Sequence, residues 1–273
     1  MGAALAAAAL LAATALAAPA APRRIVSLNT CADQYLIALA DRTQVAALTQ
    51  FSRDPNLSFY ADRAAAYPTT RGDAEAVLAL RPDLVIGTPF QHGDAAALLR
   101  RQVRMLDLAP AENFPDVVRQ TRMIAAAIGH PGRGEALVRA MQARVDAAGR
   151  RPLRGVAAHY QRGGFVSGPG SLMDDLMTRT GLTNLARRLH GALGEISLEE
   201  IVRTRPDFLI VTDSATDRED EGALLLDHPA LAAAVPPARR LHIPTALTVC
   251  GGPSYPEALE RLQAEADRAA RSP

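Results

Sequence analysis

Apolar positions along the chain fall into two alternating kinds of run. Short stretches rich in β-branched residues and leucine read as buried strands: 24–28, 45–48, 83–87 and 103–108. Longer stretches with apolar residues at helical spacing lie between them, at 31–41, 73–80 and 94–101. A turn-rich segment around Ser52-Arg53-Asp54-Pro55 separates the second strand from the helix that follows. This βαβα rhythm predicts a parallel sheet covered by helices.

The rhythm stops at Phe114. From there to Gly149 only helical periodicity is present, broken at Gly129-His130-Pro131-Gly132. Its second piece repeats apolar residues at Ala136, Leu137, Ala140, Met141, Val145 and Ala148. Strand-like runs resume at 155–159, 207–211 and 240–243, and a last helix spans about 256–268. The expected architecture is α/β: two lobes joined by a long helical link, with 22–112 the first lobe, 113–150 the link and 151–273 the second.

An internal repeat supports two similar lobes. Residues 75–86, from Glu75 through Arg81-Pro82-Asp83 to Ile86, recur as 199–210, from Glu199 through Arg205-Pro206-Asp207 to Ile210, at one constant offset. Each copy reads as a helix, a turn in which proline stops it, and a buried strand.

The N-terminus carries a different signal. Residues 3–18 are almost entirely Ala and Leu, with small residues at Ala15, Ala17, Ala18 and Ala21. That is the pattern of a cleavable signal peptide, assigned to residues 1–21, and it is too short for a membrane span. No Lys or Arg precedes the run, so either its charge comes from the terminal amine or the true start lies upstream. The formal net charge of +1 comes without any basic, aromatic-rich stretch, which argues against nucleic acid as a partner. Two cysteines do not make a disulfide-stapled miniature.

Taken in order, Arg24-Ile25-Val26-Ser27-Leu28, the Glu75–Ile86 element, the long helical link, the turn Ser167-Gly168-Pro169-Gly170-Ser171-Leu172 and the second element Glu199–Ile210 resemble the substrate-binding proteins of ABC importers for iron complexes and vitamin B12. The resemblance covers nearly the whole chain after residue 21. It implies two Rossmann-like lobes bridged by a rigid helix, the class III periplasmic-binding-protein fold, with the ligand held between them. The implied function is capture of a metal chelate (ferric siderophore, haem or a cobalamin-type compound) in the periplasm. The implied partner is the permease dimer of an importer, met by a monomeric binding protein without an intrinsic cofactor. Glu75 and Glu199 match the two carboxylates with which the family docks onto permease arginines, although Glu200 beside Glu199 leaves the second position open by one. The chain has no Trp, and B12-binding members often set Trp against the corrin, so siderophore or haem weighs at least as heavily as cobalamin.

Loops after the strands would line the cleft. They bring together Asn29, Cys31, Phe51, Arg53, Gln91, His92, Tyr160, Arg162, Phe165 and Tyr255 as candidate ligand contacts, with Phe90 alongside. The arginines suit acidic groups on a chelate, and Tyr or His suits iron itself, though no metal-ligand set is assigned. Thr30 and Asp33 read as a helix-capping pair, and His159 as a hydrogen-bonded structural residue. Cys31 and Cys250 fall on opposite lobes. Two readings stand for them: a disulfide that ties the lobes, or thiols that face the ligand. The rival functions are an enzyme pairing Cys31 with His92 or His159 and a ligand-sensing adaptor. Against the first, the chain lacks G-x-S-x-G, H-E-x-x-H, a P-loop and G-x-G-x-x-G after the first strand.

Overall fold

The computed structural model describes residues 20–88, 93–149, 152–212 and 224–271. Its first lobe runs β1 (Ile25–Ser27), α1 (Thr30–Leu39), β2 (Val45–Thr49), α2 (Ala61–Ala64), β3 (Thr69–Thr70), α3 (Ala74–Ala79), β4 (Leu84–Gly87), α4 (Gly93–Leu99) and β5 (Met105–Asp107). The strands form one parallel sheet in the order β3-β2-β1-β4-β5. Alternate residues of a strand face opposite ways, so each face needs its own apolar cover. Ile25, Leu84 and Ile86 pack with Leu36 of α1, while Val26 and Val85 pack with Val77 and Leu99. This double burial explains why these strands appear in the sequence as continuous apolar runs.

Two helices link the lobes, α5 (Phe114–Ala127) and α6 (Pro131–Gly149). The Asn113 carboxamide accepts the Asp116 N–H at 2.9 Å to open α5, and Gly129, at φ 85°, turns the chain before Pro131. The two helices lie so close that a Cβ on Gly134 would sit 2.5 Å from that of Ala125. Ile124, Ala125 and Ile128 enter the first lobe's core, whereas Phe114, Val117, Met141 and Val145 enter the second's. The link is therefore a helix pair built into both cores.

The second lobe comprises β6 (Val156–His159), β7 (Phe165–Ser167), α7 (Leu172–Thr180), β8 (Thr183–Asn184), β9 (Leu193–Glu195), α8 (Leu198–Thr204), β10 (Phe208–Thr212), α9 (Pro229–Ala234), β11 (Arg240–Ile243), α10 (Thr245–Thr248) and α11 (Tyr255–Arg271). Its main sheet is parallel, β11-β10-β6-β8, and β7 pairs with β9 in an antiparallel ribbon. The short strands β3, β7, β8 and β9 have no sequence signal because none lies in an apolar run of four or more residues. Among the described residues no helix is long and apolar enough to cross a membrane.

The repeat noted in the sequence is a structural repeat. Asp73 and Ser197 are equivalent N-caps, accepting from Ala76 N at 2.8 Å and Glu200 N at 3.2 Å. Arg81 and Arg205 close the two helices in the left-handed conformation, at φ 48° and 44°, and are the only non-glycine residues with positive φ among those described. The prolines that follow prevent continuation. Asp83 then accepts the N–H groups of Arg23 and Arg24 at 2.6 and 3.0 Å, and Asp207 accepts that of Val156 at 2.7 Å. Each aspartate thus satisfies backbone donors where the central strand of its sheet begins. Register matches too: Leu84 pairs with Ile25 as Phe208 pairs with Ala157.

Removing either cap leaves strand-opening N–H groups with water alone. Asp83→Ala and Asp207→Ala are each expected to lower the unfolding free energy by about 1 kcal/mol in urea titrations. An unchanged midpoint in both would mean that water serves those donors equally well.

Candidate functional site

The first sheet reverses its direction of growth between β1 and β4, and at the carboxyl ends of those strands a crevice is forced open. Loops after β1, β4 and β5 meet the segment after α10 and the start of α7 there, around a cavity of about 430 Å³. That volume lies within the usual range for small-molecule sites, roughly 300–1,000 Å³. Asn29, Thr30, Thr88, Gln120 and Thr248 give the cavity neutral polar groups, and Leu108, Pro110, Leu172 and Val249 give it apolar surface.

Part of its lining is a covalent bridge. Cys31, at the start of α1, and Cys250, after α10, form a disulfide between lobes, with Cα atoms 5.3 Å apart and a sequence separation of 219. Both line the cavity. Beside the bridge the fully buried Tyr35 donates its hydroxyl to Gly251 O at 3.2 Å. A Cβ on Gly251 would sit 2.6 Å from Ala111, so only glycine lets the two lobes' backbones approach here.

The helix that carries Cys31 is positioned from beneath. Asn29, rather than Thr30, is the N-cap: its side-chain oxygen accepts from Cys31 N at 2.8 Å and Ala32 N at 3.2 Å. Asp33, rather than capping the helix, reaches β2, accepting from Thr49 N at 3.1 Å and Thr49 Oγ1 at 2.5 Å. It is fully buried, and desolvation pushes its pKa up to about 6 in spite of those hydrogen bonds.

In the second lobe the turn 168–171 is held by a buried polar chain. His159 Nδ1 lies 2.7 Å from Ser167 Oγ, Asn184 donates to Ser167 O at 3.0 Å and to Asp174 Oδ1 at 2.8 Å, and Asp174 N donates to Ser171 Oγ at 3.1 Å. Burial holds the His159 pKa down at about 4, so the ring is neutral. His159 is therefore a supporting residue at the carboxyl end of β6.

Eight of the ten ligand contacts read from the sequence fall among the described residues, and the structure disperses them. Asn29 and Cys31 line the cavity. Phe51, 48 % exposed, lies in an adjoining notch of about 90 Å³ at the ends of β1, β2 and β3. Arg53 instead donates to Tyr67 O at 2.6 Å, which fixes it to its own lobe. Arg162 is half-buried in the turn after β6, and Phe165, at the start of β7, is exposed. Tyr160 and Tyr255 lie in the core: Tyr160 packs with Val166, Ile201 and Leu209. Tyr255 donates to Asp175 Oδ2 at 2.6 Å and packs its ring against Phe114. Tyr160 directly follows β6, and Tyr255 follows the Gly251-Gly252 turn. Phe90, Gln91, His92 and the loop 213–217 lie outside the described residues.

Sequence reasoning missed Arg71, Gln120, Leu172 and the 108–111 loop. Arg71 follows the unrecognised β3, is exposed in the notch beside Phe51, and makes no ion pair among the described residues. Gln120 and Leu172 project from helices, where a rule about strand ends has no reach. Glu75 and Glu199 are both exposed, on α3 and α8. Glu199 is held below the usual carboxylate range by its own backbone N–H and by Ser197. Glu200 is occupied by Arg203, at 2.5 Å.

The family model described as "Periplasmic binding protein" matches residues 25–240. No curated protein matches the chain. Among solved structures, a periplasmic haem-binding protein, RhuT of Roseiflexus sp. RS-1, superposes with a TM-score of 0.73 at 26% identity, covering 90% of this chain and 99% of that one. A periplasmic haem-binding protein of Pseudomonas aeruginosa gives 0.69 at 26% identity, over 92% and 94% of the two chains. The vitamin B12 binding protein BtuF of Vibrio cholerae gives 0.69 at 15% identity, over 92% and 99%.

Asp33 and His159 respond to pH in opposite senses. Asp33, raised to about 6, takes up a proton on folding, so its contribution is full below pH 3.8 and is lost as pH rises through 6. His159, lowered to about 4 from 6.5, releases one, so its contribution is full above pH 6.5 and is lost as pH falls through 4. Between pH 4 and 6 they offset each other. Asp33→Asn should gain stability relative to wild type as pH rises across that window, and His159→Gln should lose it, each by up to about 1.4 kcal/mol per pH unit. Denaturant titrations at several pH values check this; parallel curves for all three proteins would overturn it.

Proposed function

Because the chain belongs to the periplasmic binding protein family, we propose that it captures a metal chelate between its lobes and presents it to the permease dimer of an ABC importer. The mature chain works in the periplasm, after removal of residues 1–21, and carries out no chemistry on its ligand. The observation that carries this reading is the pairing of an inter-lobe cavity with two exposed carboxylates at equivalent points of a structural repeat.

The described lining residues include no His, no Tyr and no free thiol, because both cysteines are joined. Recognition by these residues is therefore of the chelate's periphery. Neutral donors and acceptors such as Asn29, Thr88, Gln120 and Thr248 suit amide, hydroxamate or hydroxyl edges, and Leu108, Leu172 and Val249 suit an apolar body. Arg71 beside Phe51 supplies a guanidinium for an acidic substituent, next to an aromatic face. The candidates are a ferric siderophore, haem and a cobalamin-type compound. Haem gains weight from the two haem-binding neighbours at 26% identity.

Docking falls to Glu75 and Glu199. Both are first-turn carboxylates exposed to solvent, a setting in which arginines of a partner can form bidentate, charge-assisted pairs. Glu200 is engaged by Arg203, which favours Glu199 as the second contact.

Two tests separate capture from docking. Tyrosine fluorescence and absorbance titrations against haemin, cyanocobalamin and a ferric hydroxamate should show saturable binding of one class, weakened about tenfold by Phe51→Ala or Arg71→Ala. No binding across the panel rejects the chelate reading. Glu75→Ala combined with Glu199→Ala should leave that affinity unchanged while abolishing uptake by cells; normal uptake rejects the docking assignment.

A further inference from the structure

We propose that the Cys31–Cys250 disulfide is a redox-controlled latch on the ligand cleft. Intact, it pins the segment 245–254 of the second lobe onto α1 of the first; opened by a dithiol reductant, it releases that segment and loosens the cleft. The proposal concerns the cavity read above as the ligand site, and its test uses no ligand, so it stands or falls separately from that reading.

Three observations carry it. First, the bridge is the chain's only covalent crosslink, since the sequence has two cysteines, and it spans the lobes in the cavity lining instead of stapling one lobe's core. Each lobe has an apolar core of its own, and α5 and α6 join both, so neither fold depends on the bridge to close a core. Second, the segment meets the first lobe through small groups: the Tyr35 hydroxyl donates to Gly251 O at 3.2 Å, and Gly251 and Gly252 bring backbone up to Ala111 and Tyr35. Third, the 245–254 segment is bonded within itself. Val249 N donates to Thr245 O at 2.8 Å, Tyr255 N to Gly252 O at 2.9 Å and Ser254 Oγ to Leu247 O at 3.1 Å. It can leave α1 as a unit without unravelling.

Reagent access runs through the cleft. Cys31 is half-buried and lines the cavity, whereas Cys250 is almost fully buried. A thiolate of the dithiol attacks Cys31 Sγ, forming a mixed disulfide and expelling the Cys250 thiolate. The reagent's second thiolate then attacks its own sulfur in that mixed disulfide and expels the Cys31 thiolate at the first turn of α1, where the helix N-terminus favours negative charge. Two electrons pass from the dithiol, which ends as a cyclic disulfide, and the two cysteine thiolates take up protons from solvent. A ligand that binds the bridged form more tightly would, by linkage, oppose reduction, and reduction would weaken its binding by the same factor.

The test is native-state hydrogen exchange with mass spectrometry on the whole protein, oxidised and after millimolar dithiothreitol, with reduction verified by thiol alkylation. The expected result is reduction without denaturant and amide exchange at least about tenfold faster in 245–254 and the first turn of α1, with α5, α6 and the central strands unchanged. The Cys31→Ser, Cys250→Ser double variant should reproduce the reduced pattern. Three results would overturn the proposal: a bridge that resists reduction in the native state, exchange unaltered by verified reduction, or loss of protection throughout the molecule, which would make the bridge a folding staple.

Discussion

Every strand of the two main sheets runs parallel to its neighbours, and that constraint organises the rest. Parallel strands need crossover connections on the sheet faces, so all strand-to-helix loops emerge at one edge and all helix-to-strand turns at the other. Where the order of strands reverses, between β1 and β4, adjacent loops part and leave a crevice. The site therefore lies at one end of each lobe, while the Arg-Pro-Asp turns, with their left-handed arginines and capping aspartates, lie at the other. Recognition and structural support are segregated by topology before any side chain is chosen.

The cavity wall nevertheless draws on buried polar groups, and these are where stability is given up. Asp33 anchors the helix behind Cys31 to β2, and His159 anchors the 167–171 turn through Ser167. Each holds a loop-bearing element in place more specifically than an apolar contact would, at the cost of a group whose charged form is disfavoured by desolvation. Their opposed proton preferences work against each other through mildly acidic conditions.

Legibility in the sequence follows from the same physics. The central strands were readable because burial on both faces makes them continuous apolar runs, and the repeat was readable because Pro82 and Pro206 punctuate it. The strands β3, β7, β8 and β9 were not, because two or three residues such as Thr69-Thr70 carry no periodicity. That gap propagated to the site: without β3 there was no reason to single out Arg71. Tyr160 and Tyr255 show the converse limit, since position after a strand predicts which loop a residue occupies but not which way its ring turns. The placement of both cysteines on cleft loops of opposite lobes was legible; that their sulfurs meet depends on the close approach of Gly251 to Ala111, a tertiary fact.

The two lobes share their scaffold and differ at the cleft. Caps, left-handed turns and first-turn glutamates recur at one offset and the strand pairing is equivalent, whereas register-equivalent positions at the strand ends do not agree: Ser27 on β1 faces Ile86 as His159 on β6 faces Ile210. Beyond those positions the first lobe supplies Cys31, Phe51 and Arg71, and the second supplies Val249 and Cys250. On the proposed docking role, repetition is useful because equal lobes put equal carboxylates at a defined spacing before a two-fold partner. Divergence is useful where one ligand without that symmetry must be gripped from two sides. A disulfide is the one bond that requires a matched residue from each lobe, and it lies where the shared scaffold ends and the unlike walls begin.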